Sequence, residues 1–225
     1  MQARLDSLCH TSAALIRERV SMYLPPQFSP KDPQWASRLM REFPLASLIT
    51  NDDQGLPFIT HLPLHLDPEG QHLYGHCARG NPHWKYLLAR PQSVVTFLGP
   101  QAYMSPQVYP DLVRVPTWNY LAVHVTVTAQ LIDNAAPKEQ WLKALIADHE
   151  PPYAAQWQDL PEDYTRKMLQ AIVGFELKID RLECKLKLNQ HRPESHQAMY
   201  QAYAQSEDSA ARDLALWMER LGMVS

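Results

Sequence analysis

The chain has 225 residues and a formal net charge of −3. That length suits one domain, or one domain with an appendage; the charge gives no general pull toward nucleic acid, and no apolar run approaches the ~20 residues of a membrane span. Nineteen prolines against seven glycines favour fixed turns and short strands over long bundled helices.

Residues 1–21 carry Leu5, Leu8, Leu15, Ile16 and Val20 at loosely helical, amphipathic spacing. They lack the apolar core of a signal peptide and read as a helical N-terminal extension. In "SMYLPPQFSP" the prolines Pro25, Pro26 and Pro30 forbid regular structure. That segment is expected to lie extended across the fold, anchored by Tyr23 and Phe28. Asp32-Pro33 has the form of an N-cap followed by a first-turn proline, so "PQWASRLMREF" is a helix with Trp35, Leu39 and Phe43 on one face. "LASLIT" is a short buried strand and "NDDQG" a turn.

"FITHLPLHLDPEG" alternates: Leu62, Leu64 and Leu66 face one way, His61, Pro63 and His65 the other. "QHLYGHCARG" is the second strand of a hairpin. Asn81-Pro82 opens the helix "PHWKYLLAR", and "SVVTFLG" reads as a central strand. In "YLAVHVTVTAQL", Leu121, Val123, Val125, Val127, Ala129 and Leu131 share one face, opposite Ala122, His124, Thr126, Thr128 and Gln130. Helices are predicted from Pro137 to about His149 and from Pro161 to about Val173. "GFELKIDRLECKLKL" is a strand pair or one bent strand, and two amphipathic helices follow, at about 194–204 and 207–221. The second carries Leu214, Trp217, Met218 and Leu221 as an apolar stripe, the form of a docking or dimer helix. Clean alternation gives each strand one buried face. The economical arrangement is α+β and mainly β, a closed or nearly closed barrel with peripheral helices.

Three places offer chemistry. Arg79, Gly80 and Asn81 lie between a strand end and a helix start, where free N–H groups, the helix dipole and a guanidinium suit a phosphate; a capped helix beside a solvated arginine is the plainer alternative. Lys185 and Lys187 project from one strand face, as a solvated surface or as the wall of an anion pocket. Tyr103, Trp118 and Tyr120 offer flat surfaces, and Ser105, Thr117 and Asn119 offer hydrogen bonds. That mixture suits a planar heteroaromatic ligand or aromatic plugs at the ends of a barrel.

Metal chemistry finds little support. Three scattered cysteines (Cys9, Cys77 and Cys184) make neither a metal pair nor an even disulfide set, as suits a reducing cytoplasm. His61 and His65 share a strand face but stand ~13 Å apart, so one ion does not join them. A single histidine remains able to ligate a haem iron. The last helix lacks the basic residues a DNA-recognition helix offers to phosphates.

The blocks "MYLPPQF", "THLPLHL", "LYGHCARGNPHW", "FLGPQAYMSP", "VPTWNYLAVHV", "AIVGFELKI" and "KLKLNQHRP", in order from Met22 to about Pro193, resemble the PaiB family, bacterial FMN-binding negative transcriptional regulators. The resemblance implies a split β-barrel of the flavin reductase and pyridoxamine-phosphate oxidase type. It also implies a homodimer with two flavin sites at the subunit interface. On that basis residues 22–193 form the FMN-binding domain, 1–21 an extension and 194–225 a C-terminal helical appendage. Trp118, Asn119 and Tyr120 border the flavin. Arg79 and Asn81, with Lys185 or Lys187, are the phosphate candidates, and His61, His76, Tyr103 and Ser105 line the pocket. Asn189 and His191 stand where the family's "KLSQN" run has serine and asparagine. The expected role is that of a cytoplasmic regulator or flavin-dependent sensor. A flavin-dependent oxidoreductase is one alternative, and a haem-binding barrel with His61, His76 or His124 as axial ligand is another. Direct DNA binding is expected to be feeble and salt-dependent.

Overall fold

The computed structural model describes residues 22–111 and 113–224. The predicted extension, residues 1–21, lies outside them. A 3-10 turn at Pro26–Phe28 leads to helix α1 (Gln34–Glu42). Strands β1 (Leu45–Asn51), β2 (Pro57–Pro63), β3 (His65–Leu66) and β4 (His72–Ala78) follow, then α2 (His83–Ala89) and β5 (Gln92–Met104). After a second 3-10 turn come β6 (Thr117–Ile132), helices α3 (Ala135–His149), α4 (Tyr153–Gln158) and α5 (Glu162–Gln170), then β7 (Ile172–Lys187), α6 (His196–Ala204) and α7 (Ser209–Arg220). The prediction missed α4, a six-residue helix too short to show a periodic apolar pattern.

All pairings are antiparallel, in the order β2-β1-β5-β6-β7-β4-β3. The two edge strands are one continuous stretch of chain. It runs along β1 as β2, bends at Leu64 and continues along β4 as β3. The Leu64 N–H donates to the Pro44 carbonyl at 3.0 Å. One strand therefore belongs to both edges, and the sheet closes on itself, so neither end is left unpaired.

The barrel interior follows the period-2 pattern. Leu62, Leu64, Leu66, Leu121, Val123, Val125 and Val127 are all buried. The final apolar run is one bent strand. Its apolar phase changes between Ile179 and Leu182 because Thr126 pairs with Arg181 while Val127 pairs with Ile179. Asp180 is the extra residue of this bulge, and its carboxylate accepts from Thr128 Oγ1 at 2.6 Å. A bulge restores the inward phase where plain alternation would turn the leucines outward.

Closure leaves little room at Gly75. A Cβ there would stand 2.5 Å from Leu64 Cδ2 and 3.1 Å from both Leu62 Cδ1 and Phe175 Cε2. Gly75→Ala is therefore expected to cost about 1–3 kcal/mol by overpacking, read as a lower urea midpoint at unchanged slope. An unchanged midpoint would mean that the bend at Leu64 is looser than its contacts imply.

Two expectations change. The stripe on α7 is not a free docking face: Leu214, Trp217 and Met218 are buried in the same core cluster as the barrel, with α7 against β5. In the proline-rich segment Phe28 is an anchor, buried and edge-on to His191 at 5.8 Å. Tyr23 is 83% exposed and is held by its carbonyl instead. Among the described residues no helix is long and apolar enough to cross a membrane.

Candidate functional site

The candidate residues fall into two groups at opposite ends of β7. The first surrounds the β4–α2 loop. Asn81 Oδ1 accepts from the His83 N–H at 3.0 Å and so caps α2, while Asn81 Nδ2 donates to Thr60 Oγ1 at 3.2 Å. With seven residues in α2 and its leading N–H already capped, the expected helix-dipole contribution is small, and an anion here relies on side chains. Arg79 is exposed, yet its Nε donates to the Gln170 carbonyl at 2.9 Å and its Nη2 to Asp133 at 2.8 Å. That hydrogen bond, outweighing partial burial, holds the Asp133 carboxyl below its usual range. The solvated arginine of the plain alternative is thus a tethered one. Lys85 lies 5.5 Å from the Trp84 ring centroid, and the Trp84 indole donates to the Arg79 carbonyl at 3.1 Å. Above Gly80 the space is open.

Beneath this loop runs a buried polar chain that the sequence did not announce. His83 is fully buried. Its Nδ1 meets Thr60 Oγ1 at 2.7 Å and its Nε2 meets Thr50 Oγ1 at 2.9 Å; Thr50 Oγ1 in turn meets Ser93 Oγ at 2.7 Å. Burial pushes the imidazole down to about 4. The available signal was helical spacing: His83 and Leu87 lie four apart on one face and are both buried. His76 is half-buried with its ring 5.6 Å from Trp141. Among the described residues its Nδ1 is buried without a partner, and burial lowers its pKa.

The second group gathers where β5 ends, β6 begins and β7 ends. Tyr103 and Trp118 are a cross-strand pair, edge to face at 6.2 Å and about half exposed. Ser105 Oγ accepts from the Gln107 N–H at 3.2 Å and caps a 3-10 turn. Tyr120 pairs across strands with Lys187, and the ammonium groups of Lys185 and Lys187 lie 5.4 and 5.8 Å from its ring centroid. Burial lowers the pKa of Lys187, and the charge of Lys185 adds to that.

Two candidates belong to neither group. His61 is exposed on the outside of β2, with its Nδ1 3.0 Å from Ser47 Oγ. Asn119 has no exposure; its amide donates to Tyr203 Oη at 3.0 Å and points into the core beneath α6. As placed, Asn119 does not reach a ligand beside Trp118 and Tyr120. Asn189 and His191 are structural: Asn189 holds φ 63°, a conformation that asparagine adopts more readily than most residues, and His191 packs on Phe28.

The first group and Lys187 are separated by the length of β7, about 50 Å along the strand at 3.3 Å per residue. A flavin mononucleotide needs donors for its phosphate and flat apolar walls for its ring. The first group supplies donors (Arg79, Lys85 and the Asn81 amide); the second supplies walls (Tyr103 and Trp118) together with two further cations, Lys185 and Lys187. The side-chain types that would suit each half of such a molecule are present, at different ends of β7.

Residues 22–181 match the family model described as "Putative FMN-binding domain". Over 203 residues the chain is 31% identical to the "Protease synthase and sporulation protein PAI 2" of Bacillus subtilis (strain 168), covering 88% of this chain and 97% of that protein. The chain belongs to the PaiB family of FMN-binding domains. Two solved structures share its fold. The flavocytochrome Anf3 from Azotobacter vinelandii has a TM-score of 0.57 at 20% identity, covering 72% of this chain and 70% of that one. The FAD and heme binding protein from Mycobacterium smegmatis has a TM-score of 0.57 at 22% identity, covering 71% and 73%. Identities this low establish architecture alone: a PaiB-type split β-barrel with peripheral helices.

Proposed function

We propose that this PaiB-family protein works as an FMN-binding homodimer in the cytoplasm, a flavin-dependent sensor with a regulatory output. In this reading the flavin phosphate takes the Arg79–Lys85 end of one protomer. The ring lies against Tyr103, Trp118 and Tyr120 of the partner. The observation that carries it is the placement of the Arg79–Lys85 donors and the aromatic walls at opposite ends of β7, which a second copy would unite; Lys185 and Lys187, beside the walls, are left for a second anion. The barrel's outer face supports the same reading. Leu45, Ile59 and Leu98 point outward from adjacent strands β1, β2 and β5 and are 66%, 52% and 57% exposed. Leu45 and Leu98 are cross-strand neighbours, next to the Ala46–Phe97 pair, and exposed apolar side chains on one face suit an interaction surface.

When bound, FMN would supply redox chemistry. The chain's own residues would bind and orient it: Arg79 as a fork-shaped phosphate donor held by Asp133, Lys85 as a second cation, and the aromatic pair as a floor for the ring. Among candidate outputs, contact with a protein partner is favoured over direct reading of DNA. The net charge is −3, and the apolar stripe of α7 is spent inside the protein's own core. Flavin-dependent oxidoreductase activity is the alternative output from the same site.

An absorbance spectrum of freshly purified protein tests the reading directly. FMN bands with one flavin per chain, together with a dimer mass by light scattering, are expected; a Soret band or a colourless protein that takes up no added FMN refutes it. Leu98→Asp is expected to turn the dimer into monomer and to weaken FMN binding more than tenfold. That is about 1.4 kcal/mol or more, read by fluorescence titration. A monomer that binds FMN as tightly as the parent would remove the shared-site model.

A further inference from the structure

Lys185 and Lys187 are two cations on one face of β7. Lys185 is 7% exposed. Its ammonium donates to the Tyr23 carbonyl at 2.9 Å and sits between the Tyr23 and Tyr120 rings, at 5.5 and 5.4 Å. Lys187 donates to Thr117 Oγ1 at 2.7 Å and to the Trp118 carbonyl at 2.6 Å. Every one of these partners is neutral. Among the described residues neither lysine has a carboxylate within ion-pair distance; Glu183, the nearest acid along the strand, is paired with Arg181 at 3.5 Å. Two cations on one strand face, one of them nearly enclosed, carry a cost that uncharged acceptors offset only in part. Each ammonium has three donors, and the recorded bonds use half of the six.

The position limits what the missing anion is. The lysines stand at the ring end of the flavin site proposed above, beside the exposed faces of Trp118 and Tyr103, and not at the Arg79–Lys85 end assigned to the flavin phosphate. An anion held here belongs to whatever meets the ring. A phosphate or pyrophosphate group matches the donors: it is doubly charged, it accepts several hydrogen bonds at once, and its oxygens can span neighbouring ammonium groups. A monocarboxylate would leave one lysine uncompensated.

We propose that Lys187, backed by Lys185 and oriented by Thr117 and Tyr120, is an anion seat for a phosphate-bearing co-ligand that approaches the flavin ring. Lys187 makes the direct contact. Lys185, pinned by the Tyr23 carbonyl, adds charge from behind and keeps the proline-rich segment against the seat. This inference rests on the ring-end placement of the flavin, and its test separates the two.

The test is calorimetric titration of inorganic pyrophosphate into FMN-saturated protein. Binding is expected, without release of flavin, and it should weaken as salt rises. Lys187→Ala is expected to weaken pyrophosphate binding at least about tenfold, the worth of one charge-assisted hydrogen bond, whereas Lys187→Arg keeps most of it. Thermal melts of both variants confirm that they are folded. Absence of pyrophosphate binding to the wild type overturns the proposal, as does unchanged binding in Lys187→Ala. Displacement of FMN in step with pyrophosphate uptake also overturns it, because the seat would then be the flavin's own. If the wild type takes up no FMN, the flavin reading fails by itself. The same titration into flavin-free protein then decides the seat: binding that Lys187→Ala weakens keeps it, and absence of binding removes it.

Discussion

Trp217→Ala is expected to cost about 3–5 kcal/mol, the range for removing a buried aromatic ring, and to lower the melting temperature by roughly 10 °C for a chain of this size. Trp217 is 1% exposed and one of the largest fully buried side chains. It joins α7 to the rest of the molecule: its ring meets Trp35 of α1 at 5.7 Å, and the guanidinium groups of Arg38 and Arg220 lie 6.0 and 5.7 Å from its centroid. Truncation would open a cavity where two helices and the barrel wall converge, and a close-packed interior fills such a space only in part. Among the described residues the indole Nε1 is buried without a partner. Trp217→Phe therefore removes an unsatisfied donor along with some volume, and it should cost well under half as much as the alanine variant. Equal losses for the two variants in urea unfolding would show that the contribution of Trp217 is not packing.

The second large effect is acid destabilisation through His83. Its imidazole sits at about 4 in the folded protein because of burial, against about 6.5 in an unfolded chain. Above pH 6.5 the ring is neutral in both states and its contribution to stability is fully present. As pH falls from 6.5 toward 4, the unfolded chain takes up a proton that the folded state refuses. Stability then drops by up to ~1.4 kcal/mol per pH unit, and by about 3 kcal/mol over the window. Below pH 4 this contribution is flat. Carboxylates titrate in the same range, so the measurement is a difference: urea midpoints at several pH values for the parent and for His83→Gln. The glutamine variant is expected to be less stable at pH 7, since the Thr60 and Thr50 hydroxyls lose a shared partner, and also to show a shallower acid slope. Parallel slopes would mean that His83 is not the titrating group. His76, whose pKa burial also lowers, acts in the same direction and stays in both proteins.

The candidate site was legible in part, and its errors have specific causes. Trp118 and Tyr120 share a face, as alternate residues of a strand do. Asn119 was grouped with them by chemical type. The alternation places it instead with Leu121 and Val123 on the inward face, and it is buried there; the signal was present in the pattern. Arg79 was recognised as a guanidinium between a strand and a helix. Its tether to Asp133, 54 positions away, depends on the connection between β6 and β7 folding back across the end of β4. The chain of Ser93, Thr50, His83 and Thr60 joins residues from four separate elements. Alternation places both threonines on inward faces, with Leu48 and Leu62, but nothing local says that they meet His83.

By itself the sequence determined which residues of the alternating strands face inward and where Asn81 starts its helix. Each of these depends on neighbours within a few positions, where a strand repeats every two residues and a cap acts over two or three. Only the tertiary structure decided that the chain bends at Leu64 to serve both edges of the sheet, that the α7 stripe is consumed within the same molecule, and that Arg79 and Lys85 stand at one end of β7 and Tyr103 and Trp118 at the other. Those outcomes are set by pairings between distant segments, selected by total burial and backbone hydrogen bonding, and local periodicity carries no record of which distant partner completes them.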